Sequence, residues 1–155
     1  MRSSWMRVAL LGMVVMLLGG CAVANVVVDP WTRLHFKPTN MINPDIGGRA
    51  SPLVVRVYEL SSWYGFHNTD FFNLYDNGES VLGDELISTD EIVIRPGEDH
   101  EYSLTLDPAT RYVGIVAAFR DIQNARWRLI SEVEPRGYET ITVAIDRLTL
   151  EQSGN

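Results

Sequence analysis

The sequence predicts an all-β protein, an antiparallel β-sandwich of about eight strands with a short helical insertion, and three observations carry that expectation. Short runs of alternating apolar and polar residues recur from residue 32 onward with turn residues between them, the period-two pattern of strands with one buried face. One run, Tyr112-Val113-Gly114-Ile115-Val116-Ala117-Ala118-Phe119, is apolar on both faces, as expected of a central strand covered on both sides. Between the second and third strands the rhythm breaks, at Ser61-Ser62-Trp63-Tyr64-Gly65-Phe66, and residues 68–75 beyond it have helical rather than strand character. So many short, one-sided strands need a second sheet to bury against, which makes a sandwich the economical architecture.

In chain order, residues 1–20 read as a removable lipoprotein signal peptide. Arg2 and Arg7 form a charged start, residues 8–18 an apolar run, and Leu18-Gly19-Gly20-Cys21 places small side chains before a cysteine, a bacterial lipoprotein cleavage signature. The apolar run holds about a dozen residues where a spanning helix takes about 20, so a short transmembrane anchor is the weaker reading. Cleavage makes Cys21 the first residue and the point of lipid attachment. At about 0.8 kcal/mol per buried methylene, several acyl chains hold firmly where one would be marginal. Cys21 is the only cysteine, so acylation leaves no thiol for a disulfide or a metal. Residues 21–30 show no helix period and end at Pro30, a tether; residues 31–155 form the sandwich domain, the size of a single core.

The expected strands each bury one face. Residues 32–38 set Leu34 and Phe36 against Arg33, His35 and Lys37, and residues 52–60 set Leu53, Val55 and Val57 against Arg56 and Tyr58. Asn68-Thr69-Asp70 then offers an N-cap for a short helix through Tyr75, with Phe71 and Tyr75 on its buried face. Residues 90–95 and 101–106 flank Arg95-Pro96-Gly97-Glu98, a hairpin turn by composition. After the central run come residues 126–133, then 138–145 with Ile141, Val143 and Ile145 facing inward, and a last short strand over 147–151.

Composition excludes several functions. The formal charge is −7, Lys37 is the only lysine, and the arginines are scattered, so nucleic acid is not an expected partner and neither are anionic lipid headgroups. There is no Gly-x-Ser-x-Gly elbow and no free cysteine to act as a nucleophile. His35, His67 and His100 lie far apart and form no ligand-spaced cluster, so no metal site is expected. Asp84-Glu85 and Asp90-Glu91 read as solvated strand ends. Catalysis has no visible home.

The connection between the first two strands is more informative: Asn40, Met41, Ile42, Asn43, Pro44, Asp45, Ile46, Gly47, Gly48 and Arg49. It exceeds the usual hairpin loop of about 2–5 residues. Its Asn, Pro, Asp and Gly residues supply turns, but Met41, Ile42 and Ile46 are not needed for turning. These three must be buried somewhere: either the segment is an Ω-loop folded over the sandwich end, with Arg49 paired to an acidic neighbour and holding its shape, or part of it is an exposed edge that binds a partner, the three apolar residues then dividing between packing on the domain and that contact. The segment Arg120-Asp121-Ile122-Gln123-Asn124-Ala125 is a second candidate, with a polar turn as its simpler reading.

Taken in order, the lipobox, Asn43-Pro44-Asp45 with Gly48-Arg49, Ser51-Pro52-Leu53-Val54-Val55-Arg56-Val57-Tyr58-Glu59-Leu60, Asp70-Phe71-Phe72 with Leu74-Tyr75, Pro96-Gly97-Glu98, the central apolar run with Arg120-Asp121, and Ala125-Arg126-Trp127-Arg128 resemble the TssJ (SciN/VasD) family of type VI secretion outer-membrane lipoproteins. The likeness covers essentially the mature domain. It implies a transthyretin-like β-sandwich with added helical elements, held by lipid in the outer membrane and facing the periplasm. It implies no enzyme activity and no cofactor beyond the covalent lipid on Cys21. The implied partner is the periplasmic C-terminal region of TssM, an inner-membrane protein, captured through the loop between the first two strands, here residues 40–49. Ala22 is not the aspartate that retains such lipoproteins at the inner membrane, which fits outer-membrane sorting. One alternative stays open: a periplasmic lipoprotein sandwich that binds a small molecule or glycan, with the aromatic residues from Trp63 to Tyr75 as a stacking surface.

Overall fold

A computed structural model of the chain describes residues 29–154. The signal peptide, Cys21 and most of the tether lie outside the described residues. Eight strands form two four-stranded sheets: β1 (Trp31–Pro38), β4 (His100–Leu104), β7 (Tyr138–Asp146) and β8 (Thr149–Ser153) in the order β4-β1-β7-β8, and β2 (Leu53–Leu60), β3 (Leu86–Ile94), β5 (Tyr112–Ala117) and β6 (Arg128–Glu132) in the order β3-β2-β5-β6. Between β2 and β3 lie two helices, α1 (Tyr64–Asn68) and α2 (Phe71–Leu82). The expected all-β sandwich is observed.

The inner faces meet in one core that includes Leu34, Phe36, Val55, Ile94, Ile115, Val143 and Ile145, all completely buried. Five of the strand pairings are antiparallel, but β1 and β7 run parallel, Trp31 opposite Tyr138 through to Pro38 opposite Ile145. Alternation reads the same in either direction, so only the crossovers between sheets decide this pairing.

The second sheet is covered on its outer face too. Tyr58, Leu60 and Val116 point away from the inter-sheet core and pack with Phe66, Leu74 and Leu82 of the helices. The central run is therefore doubly buried as expected, with helices rather than a sheet over Val116. Gly114 is what lets α1 approach: a Cβ there would stand 2.6 Å from the Phe66 ring. Arg128 holds α1 down from beneath, donating to the carbonyls of Phe66 (2.8 Å) and Thr69 (2.9 Å) at the helix C-terminus.

Several boundaries move. Asp70 caps α2 as expected, accepting from Asn73 N–H at 3.1 Å, but the helix continues past Tyr75 to Leu82 across a kink at Asn77. Asp76-Asn77-Gly78 is a poor helical stretch locally; burial of both Leu74 and Leu82 carries the helix across it. Phe71 and Tyr75 do stack, at 5.3 Å, yet they are only half-buried. The last strand begins at Thr149, because Arg147 takes a positive φ of 30° and forms the hairpin turn with Leu148. Three of the four carboxylates read as solvated have partners: Glu85 accepts from Gly65 N–H (2.8 Å), Asp90 from the Tyr102 hydroxyl (2.7 Å) and Glu91 from Arg56 (2.8 Å).

Candidate functional site

The sandwich has two poles. At one, the chain enters at Trp31, and the connections into and out of the helices and the loops 105–111 and 133–137 gather. At the other, four connections meet: the β1–β2 loop, the β3–β4 turn, the β5–β6 segment and the β7–β8 turn. The candidate loop, residues 40–49, and the second candidate, residues 120–125, therefore come together, although far apart in the chain.

Asn43 ties this pole. It is 3% exposed, sits at φ 46° where asparagine is among the few residues tolerated, and connects three neighbours. Its backbone N–H donates to the Arg147 carbonyl (2.7 Å), its Nδ2 donates to the Pro52 carbonyl (2.8 Å), and its Oδ1 accepts from Arg120 N–H (2.8 Å). Ile42, beside it, is fully buried in the inter-sheet core, and its carbonyl accepts from Ser51 N–H (3.2 Å). On the other side the β3–β4 turn is bound in, Gly97 N–H donating to the Thr39 carbonyl at 3.1 Å.

Beyond Asn43 the chain makes a small closed ring. Asp45 N–H donates to the Arg49 carbonyl (2.8 Å), Arg49 N–H returns to Asp45 Oδ1 (3.0 Å), and the Arg49 guanidinium pairs with Asp45 Oδ2 at 2.8 Å. Gly48, at φ +78°, makes the turn, its N–H reaching the Asp45 carbonyl at 2.9 Å. The donors from Arg49, its backbone N–H foremost, hold the Asp45 carboxyl below its usual range. Ile46 stands at the ring's tip, 110% exposed relative to a reference isoleucine, and Met41 is partly exposed at the loop's start.

A cleft runs between this ring and the other loops, lined by Pro44, Ile46, Arg49, Arg120, Arg147 and Leu148 among others. Three arginines border it in a chain of formal charge −7. Arg49 is paired with Asp45, whereas among the described residues neither Arg120 nor Arg147 has a salt bridge. Asp121, the other acid here, is turned to its own segment and accepts from Asn124 Nδ2 at 2.9 Å. An unsatisfied apolar tip flanked by cationic groups is suited to a protein surface with an apolar recess and an acidic border, and it lacks the convergent groups of a catalytic centre.

The structure thus sorts the expected loop residues. Ile42 and Asn43 hold the fold, Asp45, Gly48 and Arg49 shape the ring, and Met41 and Ile46 are presented outward. Sequence reasoning missed Arg147 altogether, since a turn arginine after an acidic residue gives no local signal. The aromatic residues from Trp63 to Tyr75 are also divided: Phe66 is buried, Phe71 and Tyr75 are half-buried, and Trp63, Tyr64 and Phe72 are exposed. Those three line neither of the two main concavities; Tyr75 borders one of them, but its ring is already in contact with Phe71 and with the Arg56 guanidinium, which disfavours stacking on a glycan. Among the described residues there is no cluster of histidine and carboxylate groups able to hold a metal, and no helix is long and apolar enough to cross a membrane.

Comparison with known proteins adds to this geometry. The family model described as type VI secretion lipoprotein, VasD, EvfM, TssJ matches residues 31–148. The chain is similar to the type VI secretion lipoprotein TssJ1 of Pseudomonas aeruginosa, with 32% identity over 83% of this chain and 98% of that one and a TM-score of 0.78. It also shares its fold with Serratia marcescens Lip, described as a membrane-bound component of the type VI secretion system (23% identity, 83% and 99% covered, TM-score 0.75). A third similar chain belongs to a structure described as the TssM C-terminal domain from EAEC (22% identity, 81% and 98% covered, TM-score 0.68). A comparison with curated proteins found no match.

Proposed function

The chain belongs to the type VI secretion lipoprotein family, a structural component of that system and not an enzyme, and from that premise we propose that it is lipid-anchored through Cys21 in the outer membrane and binds the periplasmic C-terminal region of TssM with its loop pole. One observation carries the assignment of the interface: Ile46, wholly exposed, is held at the tip of a ring closed by Asp45 and Arg49. An apolar side chain fixed in water by its own loop gains by burial in a partner, and little ordering cost remains to be met on binding. Arg120 and Arg147 flank it as cationic contacts for an acidic border. A structure described as the TssM C-terminal domain stands among the similar ones, which supports the choice of partner. Linking two membranes then needs the anchor and this interface on one rigid body, and a doubly packed sandwich is such a body.

The test is calorimetric titration of the soluble domain against the TssM C-terminal region. Ile46→Asp is expected to weaken binding tenfold or more, about 1.4 kcal/mol, with an unchanged melting temperature. Replacement of the whole loop by a hairpin is the wrong probe, because it would also remove Ile42 and Asn43 and so unfold the pole. Wild-type affinity in folded Ile46→Asp would move the interface elsewhere.

A further inference from the structure

We infer that the pole at which the chain enters the sandwich is a membrane-contact surface, seated in the headgroup layer of a zwitterionic phospholipid bilayer through Trp63 and Tyr64 on one side and Trp31 and Tyr138 on the other. The inference goes beyond partner binding and rests on one part of the reading above, acylation of Cys21.

Four aromatic residues gather at this pole on opposite faces of the sandwich. Trp31 and Tyr138 are paired residues at the starts of β1 and β7 and touch edge to face, ring centroids 6.1 Å apart, on the outer face of the first sheet. Tyr138 is 56% exposed. Trp63 and Tyr64 belong to the segment that leaves β2 on the outer side of the second sheet and are 42% and 65% exposed. Their position is set by Ser61 N–H donating to the Glu85 carbonyl (2.9 Å) and Gly65 N–H to the Glu85 carboxylate (2.8 Å). From there α1 runs toward the middle of the sheet, where Arg128 binds its end. Trp63 and Tyr64 are therefore at the pole end of that helix. Tryptophan and tyrosine partition to the headgroup level of bilayers, where an apolar ring and a polar edge are both satisfied.

The tether selects this pole. Nine residues, 22–30, separate Cys21 from Trp31, a reach of about 30 Å at full extension. An eight-residue strand spans about 26 Å, so carrying the far pole to the bilayer would exhaust the tether, whereas the near pole meets the bilayer without extension. Charge selects the lipid. The pole exposes Asp84, Asp107 and Glu134 beside Arg111 and Arg136, no cationic surplus for anionic headgroups.

The mature protein, purified from bacterial membranes and reconstituted in vesicles of phosphatidylethanolamine and phosphatidylcholine with and without shallowly brominated acyl chains, provides the test. Tryptophan emission is expected to fall in the brominated vesicles, and the fall is expected to vanish in the Trp31→Phe, Trp63→Phe double variant, which retains Trp127 nearer the opposite pole. Equal emission in both vesicle types, from protein that floats with them, overturns the inference and leaves the anchor intact. Persistent quenching of Trp127 in the double variant overturns it by placing the other half of the molecule at the bilayer. Unquenched emission together with concentration-dependent self-association assigns the aromatic pole to a second copy instead. Failure to float overturns the acylation of Cys21 and this inference with it.

Discussion

Two segments interrupt the strand rhythm, the β1–β2 loop and the helical insertion, and they are held by opposite means. The insertion is fastened by apolar area: Phe66, Leu74 and Leu82 are buried against Tyr58, Leu60 and Val116, with Arg128 as a polar clamp. The loop is fastened mainly by polar ties to backbone, three of them through Asn43, with Ile42 as its one deep apolar anchor. Hydrophobic burial tolerates small slips, whereas hydrogen bonds fix position and direction. A segment that must present one side chain in a defined place is better served by the second means.

The contrast is broken most severely from the insertion side. Phe66→Ala should cost about 3–5 kcal/mol, because the ring is completely buried over Gly114 and the rigid sheet beneath cannot collapse into the space. Thermal melts read the loss, and limited proteolysis should cut first between residues 61 and 85 while partner binding at the loop pole persists in the folded fraction. Ile42→Ala, the corresponding cavity at the loop pole, should cost about 2–4 kcal/mol by chemical denaturation, against less than about 0.5 kcal/mol for Ile46→Ala four residues away. Equal costs for the two isoleucines would erase the distinction between anchored and presented residues.

Asn43→Ala sharpens the polar half of the comparison. It leaves Arg120 N–H and the Pro52 carbonyl without their partner and puts alanine at a positive φ that asparagine tolerates better, a loss of about 2–3 kcal/mol, with hydrogen exchange rising at Arg120 and position 43 together. The smallest effect is at the ring. Asp45 is depressed from an ordinary value of 3.8, so what its charged form contributes is complete above that value and fades as pH falls through the lower, folded one. The contribution of the ring to partner affinity should therefore be level from about pH 5 to 8 and fade below about pH 4, and Arg49→Ala should make the acid decline shallower, leaving only what protonation of the partner's acidic border causes. The pair is open to solvent and adds little to the stability of the domain, so its loss is read in affinity rather than in melting temperature.

Much of this protein was legible in residues 29–154 as a string. Alternation marked most of the strands and the doubly apolar run marked the central one, because a side chain's face in a strand depends only on parity; the ends lie within two residues of expectation except that β3 begins at Leu86, four residues early. Asp70 marked the start of α2, because capping is local. The length and apolar content of residues 40–49 singled out the loop, although not which of its isoleucines was the anchor.

Tertiary structure alone decided the rest, in each case because the deciding neighbour is distant in sequence. Ile42 and Ile46 have the same side chain in the same loop; one is buried because β1 and β2 deliver it to the inter-sheet core, the other exposed because Asp45 and Arg49 close beneath it. The parallel pairing of β1 with β7, the continuation of α2 past Tyr75, and the meeting of Asn43 with Arg120 and Arg147 depend on which strands lie side by side. Local sequence determined which segments could be strand, helix or turn, since those choices are set by steric and capping forces within a few residues. Which apolar residues became core and which became surface was left to packing, where burial free energy is shared across the whole domain.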